Sequence, residues 1–168
     1  VTIATVLRKS GYTTGCFGKW GIGNPPPLDD PNRHGFDEFY GYVNMYHAHN
    51  YYPEFLYRND QREKLKGNVV NNDREDGAGV ATDKVTYAHD LCAKEALAFV
   101  DRIQAKPFFL YLSLTIPHAN NEGKKEGMEV PDYGRYKNLD WPEPQKGHAA
   151  MITRMDKDVG RLMARLKK

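Results

Sequence analysis

The sequence predicts an α/β fold in which a mostly parallel sheet is covered by helices. The first observation is a strand at 108–114 that is apolar on both faces, which is typical of strands inside parallel sheets. The second is a long amphipathic helix at 83–103, which a short link joins to that strand. The third is another buried strand, at 12–17, that follows a short helix. Helix, link and buried strand together are the rhythm of a parallel sheet covered by helices.

The composition is that of a globular protein. Of the 168 residues, 40% are hydrophobic and 12% aromatic, which argues against a disordered chain and suffices for one modest domain. The net charge of +2 gives no reason to expect nucleic acid or an acidic membrane surface as a partner. No apolar run approaches the roughly 18 residues that a membrane-spanning helix needs. Cys16 and Cys92 fall on predicted buried faces and are interpreted as core residues.

The first part of the chain predicts a helix, a strand and then a loop. Helical spacing of apolar residues predicts a helix over 2–10, and Gly11 stands where a helix-capping glycine is expected. The strand 12–17 runs into a Gly-Lys-Trp-Gly turn. Regular structure is then excluded by the prolines at 25, 26, 27 and 31.

The remaining elements follow from turn residues and helical periodicity. Residues 36–60 predict aromatic-rich loops with one or two short strands and a hairpin tip at 58–60, and 64–79 is typical of a surface excursion. The loop 120–145 is interpreted either as a lid or as plain surface. A last helix is predicted over 147–167. The predicted buried stripes of the two long helices are Ala88, Cys92, Ala96, Phe99 and Ile103 in the first, and Met151, Met155, Val159, Leu162 and Leu166 in the second.

Polar side chains follow both predicted buried strands. Lys19 comes after the first strand and His118 after the second. If the two strands are parallel and near neighbours, both side chains converge on the crevice at the carboxyl ends of the strands, where ligands bind in open α/β sheets. Lysine offers a point charge to an anion, and histidine donates to an oxyanion or acts as acid or base. Taken alone, each residue is more often an ordinary loop residue than a ligand-binding one.

Several segments carry a family resemblance. The segment GYTTGCFGKWGIG, at 11–23, resembles the second signature of the type I sulfatases, which commonly runs Gly-Tyr-x-Thr-x-x-x-Gly-Lys-Trp-His-Leu-Gly. Later blocks are similar to the family in the same order: RHGFDEFYGY, HNYYPEFLYRND, FFLYLSLTIPHA and KGHAAMITRMDKDVGRLMARLKK. The chain is therefore identified as a central part of a sulfatase, which implies a fragment of an alkaline-phosphatase-like α/β sandwich.

The resemblance implies roles for two residues. In type I sulfatases the lysine of the Gly-Lys-Trp segment contacts the sulfate and the catalytic formylglycine, and the histidine of the Pro-His segment binds the sulfate. These roles pass to Lys19 and His118 as catalytic and substrate-binding residues. Where the family has a histidine after the tryptophan, this chain has Gly21. His47 and His49 are the candidates to take over that role or to bind substrate, against the alternative of ordinary packed or exposed histidines.

The family's cofactors are expected outside this chain. The formylglycine arises within Cys/Ser-x-Pro-x-Arg, a pentapeptide that the sequence does not contain. The family's calcium is held by aspartates before this region and by an Asp-Asn or Asp-Gln pair after it. No metal ligand is assigned here, Asp29 and Asp30 included. We predict a single partial catalytic domain over 1–168, truncated at both ends and inactive alone.

The implied function is that of a sulfuric ester hydrolase, whose parent acts on a sulfate ester of a carbohydrate or aryl compound through formylglycine and calcium. One alternative is a relative that cleaves phosphate or phosphonate esters. Another is a non-catalytic relative that binds sulfated glycans. Tyr46, Tyr51 and Tyr52 suit either stacking on a substrate ring or packing in a core. Only family habit suggests a compartment, which is periplasmic, secreted or lysosomal.

Overall fold

A computed structural model describes residues 1–23, 29–72, 74–103 and 106–167. The predicted loop prolines at 25, 26 and 27 lie outside the described residues. The helices and strands are, in chain order, α1 Ile3–Lys9, β1 Thr13–Lys19, β2 Glu38–Tyr42, β3 Phe55–Arg58, β4 Gln61–Lys64, α2 Ala88–Ile103, β5 Phe108–Ser113 and α3 Glu143–Leu166. In the part of the chain that the structure describes, no helix is both long and apolar enough to cross a membrane.

The strands form one sheet in the order β4-β3-β2-β1-β5. β1 lies between β2 and β5 and is parallel to both, with Gly18 opposite Gly41 on one side and Ser113 on the other. The β3–β4 hairpin adds an antiparallel edge. Its tip is the predicted one, and Asn59 there has φ +55°, a left-handed conformation that asparagine tolerates. The predicted α/β architecture is confirmed.

Helices cover both faces of the sheet. Successive side chains of a strand point to opposite faces, so the apolar residues of β1 need a covering helix on each side. Phe17 of β1 packs with α2, its ring centroid 5.4 Å from that of Phe99. Cys16, next to it, packs on the other face with Ala4 of α1. Burial of one such aromatic side chain contributes about 1.5 to 3 kcal/mol. α3 lies against α2, where Arg154 of α3 pairs with Asp90 of α2.

Two helices start at positions different from those predicted. α2 begins at Ala88 rather than at 83, because the side-chain oxygen of Asn68 accepts hydrogen bonds from the amides of Val85 and Thr86 and holds them in an extended turn. α3 begins at Glu143 rather than at 147, directly after Pro142. Pro142 is the N-cap, and Pro144 lies in the first turn, where a proline loses no helical hydrogen bond and has φ already suited to the helix.

The buried stripe of α3 is narrower than predicted. Met151 is fully buried, whereas Val159 and Leu166 are 42% and 50% exposed. The reason is that α3 packs on α2 from outside, so its last turns have a neighbour on one side only.

Two strand predictions also need correction. β1 continues through Lys19, which pairs with Tyr42, so the lysine is the last strand residue rather than a turn residue. β5 was predicted to lie inside the sheet, but among the described residues it is an edge strand that pairs only with β1. Its side chains are half-buried, and Tyr111 is 43% exposed.

Candidate functional site

Lys19 is held by the backbone on both sides of β1. Its carbonyl accepts a hydrogen bond from the hydroxyl of Ser113 in β5, at 2.6 Å. The next two amides, of Trp20 and Gly21, donate to the carbonyls of Tyr42 and Val43, at 2.8 and 3.0 Å. The lysine therefore leaves the sheet from a backbone that neighbouring strands fix on both edges, and its side chain is half-buried.

Gly21 makes room for the lysine. It has φ +78°, which favours glycine, and a Cβ atom built on it would lie 2.7 Å from Cε of Lys19. The lysine methylenes thus lie against the bare α-carbon. At the position where the sulfatase motif has a histidine, this chain therefore has a glycine covered by the stem of the lysine.

His118 follows β5 at the same edge of the sheet. Because β1 and β5 are parallel neighbours and Gly18 is opposite Ser113, the two strands end side by side. Lys19 ends the first, and His118 comes five residues after the second. The condition that the sequence argument set for convergence, parallel and neighbouring strands, is met. The meeting of the two side chains at one ligand stays a prediction.

The imidazole of His118 has one engaged nitrogen. Nδ1 lies 2.6 Å from the carbonyl oxygen of Ala119, and a carbonyl can only accept, so Nδ1 carries the proton. The carbonyl of His118 itself accepts a hydrogen bond from the hydroxyl of Tyr51. The side chain is exposed. Nε2 is thus the nitrogen through which His118 can meet a ligand, as a donor when the ring is cationic.

His49 is brought against His118. Their rings stack at a centroid distance of 5.3 Å and an interplanar angle of 10°. Nδ1 of His49 lies 3.2 Å from Oε2 of Glu122. The structure thus places His49 beside His118, and its role at the site stays a prediction. Glu122 was not predicted, because no motif marks it and it lies 73 residues from His49 in the chain.

His47 is not brought to the same place. Its side chain is fully buried, with ring centroids 4.6 Å from Phe55 and 4.9 Å from Tyr42. Burial lowers the pKa of His47 from its ordinary value to about 3, and the backbone of Phe55 opposes this shift only in part. Neither ring nitrogen makes a well-formed hydrogen bond within the described ranges. The structure therefore places His47 as a neutral core ring, and no substrate on the surface can reach it.

The acidic pair after the Lys19 strand has partners of its own. Asp30 is buried, accepts a hydrogen bond from the amide of Arg33 and pairs with its guanidinium at 3.2 Å. Asp29 lies 3.8 Å from Nε2 of His34. Residues 1–23, 29–72, 74–103 and 106–167 contain no group of three or more His, Cys, Asp or Glu side chains arranged to hold a metal ion.

A cleft of about 410 Å³ lies elsewhere, beside α2 and α3. Its lining includes three arginines, and each already has a partner. Arg154 pairs with Asp90, Arg161 with Asp158, and Arg135 donates to the hydroxyl of Tyr136. Neither Lys19 nor any of the histidines discussed above lines this cleft. We therefore place the functional site at the strand ends instead.

Comparison with known proteins shows the family of this chain. The family model described as Sulfatase matches residues 1–168. N-acetylgalactosamine-6-sulfatase of Rattus norvegicus is 29% identical over 173 residues, which cover 96% of this chain and 28% of the rat protein. The human protein of the same name is 30% identical over 138 residues, which cover 78% of this chain and 24% of that protein. The chain thus spans under a third of the length of these relatives.

Solved structures show the same fold. The crystal structure of Ps i-CgsB in complex with k-i-k-neocarrahexaose has a TM-score of 0.71 and 24% identity, and the match covers 98% of this chain and 36% of that one. A structure described under the metabolism of multiple glycosaminoglycans by Bacteroides thetaiotaomicron has a TM-score of 0.62 and 19% identity, covering 99% of this chain and 42% of that one. The architecture is the alkaline-phosphatase-like α/β fold of sulfatases.

Proposed function

This chain belongs to the sulfatase family, and from that premise we propose that the whole protein hydrolyses sulfate esters, with Lys19 and His118 binding the sulfate group. The observation that carries this proposal is the parallel pairing of β1 with β5, which ends both strands at one edge of the sheet. Ligands of open α/β sheets bind at that edge. Two side chains able to carry positive charge suit an oxyanion there.

The two residues act differently on the sulfuryl group. Lys19 places a compact positive charge near its oxygens, because the lysine stem is confined between the strand end and Gly21. His118 donates through Nε2, since Nδ1 is committed to the carbonyl of Ala119. Charge that develops on the sulfuryl oxygens in the transition state is stabilised by such preorganised donors. His118 acts this way in its cationic form.

The remaining machinery is proposed to come from other segments of the protein. The family implies a formylglycine, which supplies the nucleophile, and calcium, which supplies charge stabilisation. The pentapeptide that yields formylglycine does not occur in these 168 residues. Lys19 is the residue of this chain proposed to contact the formylglycine side chain.

The leaving group is proposed to be a sugar or an aryl ring. Of the three tyrosines that suited stacking, Tyr51 and Tyr52 are buried, whereas Tyr46 is 49% exposed. Tyr46 lies edge-on to His49, with centroids 6.1 Å apart, and His49 in turn stacks on His118, so the three rings are adjacent. An exposed aromatic face beside the sulfate-binding residues suits the apolar face of a pyranose or an aryl group.

The test uses the full-length protein, co-expressed with a formylglycine-generating enzyme and purified with calcium. Turnover of 4-nitrophenyl sulfate and 4-nitrophenyl phosphate is compared for the wild type and for Lys19→Ala. We expect sulfate turnover, and a loss of at least about 100-fold in kcat/KM in the variant, which corresponds to about 2.7 kcal/mol. The matched control is Lys94→Ala, an exposed lysine in the middle of α2, with unchanged turnover.

Three outcomes would contradict parts of the proposal. A loss below threefold in Lys19→Ala would remove Lys19 from the site. Turnover of the phosphate ester alone would replace the sulfatase by a phosphate-ester hydrolase of the same fold. Binding of a sulfated glycan without turnover of either ester, together with loss of the Cys/Ser-x-Pro-x-Arg pentapeptide from the full-length sequence, would indicate a non-catalytic relative.

A further inference from the structure

His118, the proposed sulfate ligand, is exposed and has few constraints of its own. Its Nδ1 bonds to the carbonyl of the adjacent residue, Ala119, which restrains the ring relative to its own main chain. The bond from the Tyr51 hydroxyl holds the main chain of His118 and does not reach the ring. Among the described residues, the parallel ring of His49 adds a second restraint on the ring plane, at a centroid distance of 5.3 Å. The orientation of Nε2 thus depends on how His49 is held.

His49 is held by a carboxylate. Its Nδ1 lies 3.2 and 3.4 Å from the two oxygens of Glu122. The side chain of His49 is only 11% exposed and that of Glu122 27% exposed, so water competes weakly for this contact. A hydrogen bond to a charged group is stronger than one between neutral groups. The plane of the His49 ring is therefore set by Glu122.

Glu122 is in turn anchored to the core. Its amide donates to the side-chain oxygen of Asn120, at 3.1 Å. Asn120 is fully buried, and its side-chain amide donates to the carbonyl of Gly79, at 3.0 Å, and to Glu129, at 2.8 Å. A buried hydrogen-bonded network of this kind has little freedom to rearrange. The main chain that carries the Glu122 side chain is thus held by a rigid part of the structure.

We propose that Glu122 and His49 are positioning residues, which orient the ring of His118 so that Nε2 faces the sulfate group. This inference rests on the proposed role of His118. Neither residue touches the sulfate. They act through the stacked ring, in the way that the hydrogen-bond partners of metal-binding histidines orient their ligands. The restraint comes from the hydrogen bond, so an uncharged acceptor in place of the carboxylate keeps it.

The test measures two quantities in the full-length protein, kcat/KM for 4-nitrophenyl sulfate and the Kd of inorganic sulfate by calorimetry. Glu122→Ala is expected to weaken both by about tenfold, the lower end for loss of an orienting partner. Glu122→Gln is expected to stay within threefold of the wild type, because its amide oxygen accepts the same hydrogen bond. Glu126→Ala is the matched control, an exposed glutamate in the same short helix, Asn121–Glu126, with no expected change.

A double variant separates positioning from independent roles. His49→Ala is expected to cost about as much as Glu122→Ala, and the variant with both changes no more than either one, since the two residues act as one unit. Additive losses would overturn the proposal. Unfolding temperatures of the single variants are expected to stay near that of the wild type, and a loss of function that only follows lost stability would also overturn it.

The binding measurement keeps this proposal separate from the proposed function. If the wild type turns over no sulfate ester but binds sulfate, and Glu122→Ala weakens that binding while Glu122→Gln does not, the positioning pair stands and the catalytic function fails. If turnover occurs and Glu122→Ala changes neither quantity, the function stands and the positioning pair fails. If the wild type does not bind sulfate at all, the positioning pair fails with it.

Discussion

His47 and His49 stand two residues apart on one short 3-10 turn, His47–His49, and lie in opposite surroundings. With three residues per turn, positions two apart point in widely different directions. His47 enters a cage of aromatic rings, formed with Phe55 and Tyr42, and is neutral there. His49 faces His118 and pairs with Glu122.

The difference teaches that the partner, not the residue type, decides what a histidine does. In the cage, burial without a hydrogen-bond partner turns the imidazole into a neutral, flat core ring. Beside Glu122, a carboxylate gives the same side chain a fixed orientation. We therefore expect substitution of His47 to change the stability of the fold, and substitution of His49 to change the affinity for an anion.

The largest effect is expected from a substitution of Gly77, which packs directly on the ring of His47. A Cβ atom on Gly77 would lie 2.5 Å from Cδ2 of His47, and Gly77 has φ +82°. Overpacking and left-handed strain together predict that Gly77→Ala lowers the free energy of unfolding of the full-length protein by about 2 to 4 kcal/mol. Urea denaturation measures this change.

The control for that substitution is Gly160→Ala in α3. Nothing lies within 4 Å of a Cβ atom built on Gly160. Alanine in a helix interior is more stable than glycine by about 1 kcal/mol, so this variant is expected to gain stability. Equal effects of the two substitutions would contradict the close packing of Gly77 on His47.

A pH titration sharpens the comparison with a smaller effect. Burial lowers the pKa of His47 to about 3, so the folded protein keeps the ring neutral while the unfolded chain takes up a proton below its ordinary pKa. Stability is therefore lost as the pH falls. From pH 7 to pH 5 this contribution amounts to about 2 kcal/mol, for an unfolded pKa of about 6.5.

His47→Leu is the reference for that titration, because it removes the titrating group at nearly constant volume. Urea denaturation at pH 7 and at pH 5 gives, for each protein, the change in the free energy of unfolding between the two pH values. The wild type is expected to lose about 2 kcal/mol more than His47→Leu over this range. An equal loss of stability in both proteins would show that His47 is not buried as a neutral ring.

The smallest effect is expected from His47→Leu itself at pH 7. The substitution removes two buried nitrogens without well-formed hydrogen bonds and conserves volume, so stability is expected to change by less than about 1.5 kcal/mol. Affinity for sulfate is expected to stay the same, in contrast to His49→Ala. A tenfold weaker affinity in His47→Leu would bring His47 back into the site.

Much of the fold was predictable, because local patterns decide it. Alternation along β1 sends Cys16 and Phe17 to opposite faces, and turn residues mark the β3–β4 tip. The errors have long-range causes. The start of α2 depends on Asn68, whose side chain holds the preceding turn. The edge position of β5 depends on which strands pair, and its apolar sequence does not record that.

The sequence by itself determined that Lys19 and His118 lie at or shortly after the ends of two strands of an α/β protein, because strand patterns and the Gly-Lys-Trp motif are local. Only the tertiary structure decided that these strands are parallel neighbours, that His49 stacks on His118 while His47 is enclosed, and that Glu122 completes the cluster. The physical reason is distance along the chain. Contact between residues 73 positions apart depends on packing of the whole domain, and neither composition nor spacing encodes it visibly.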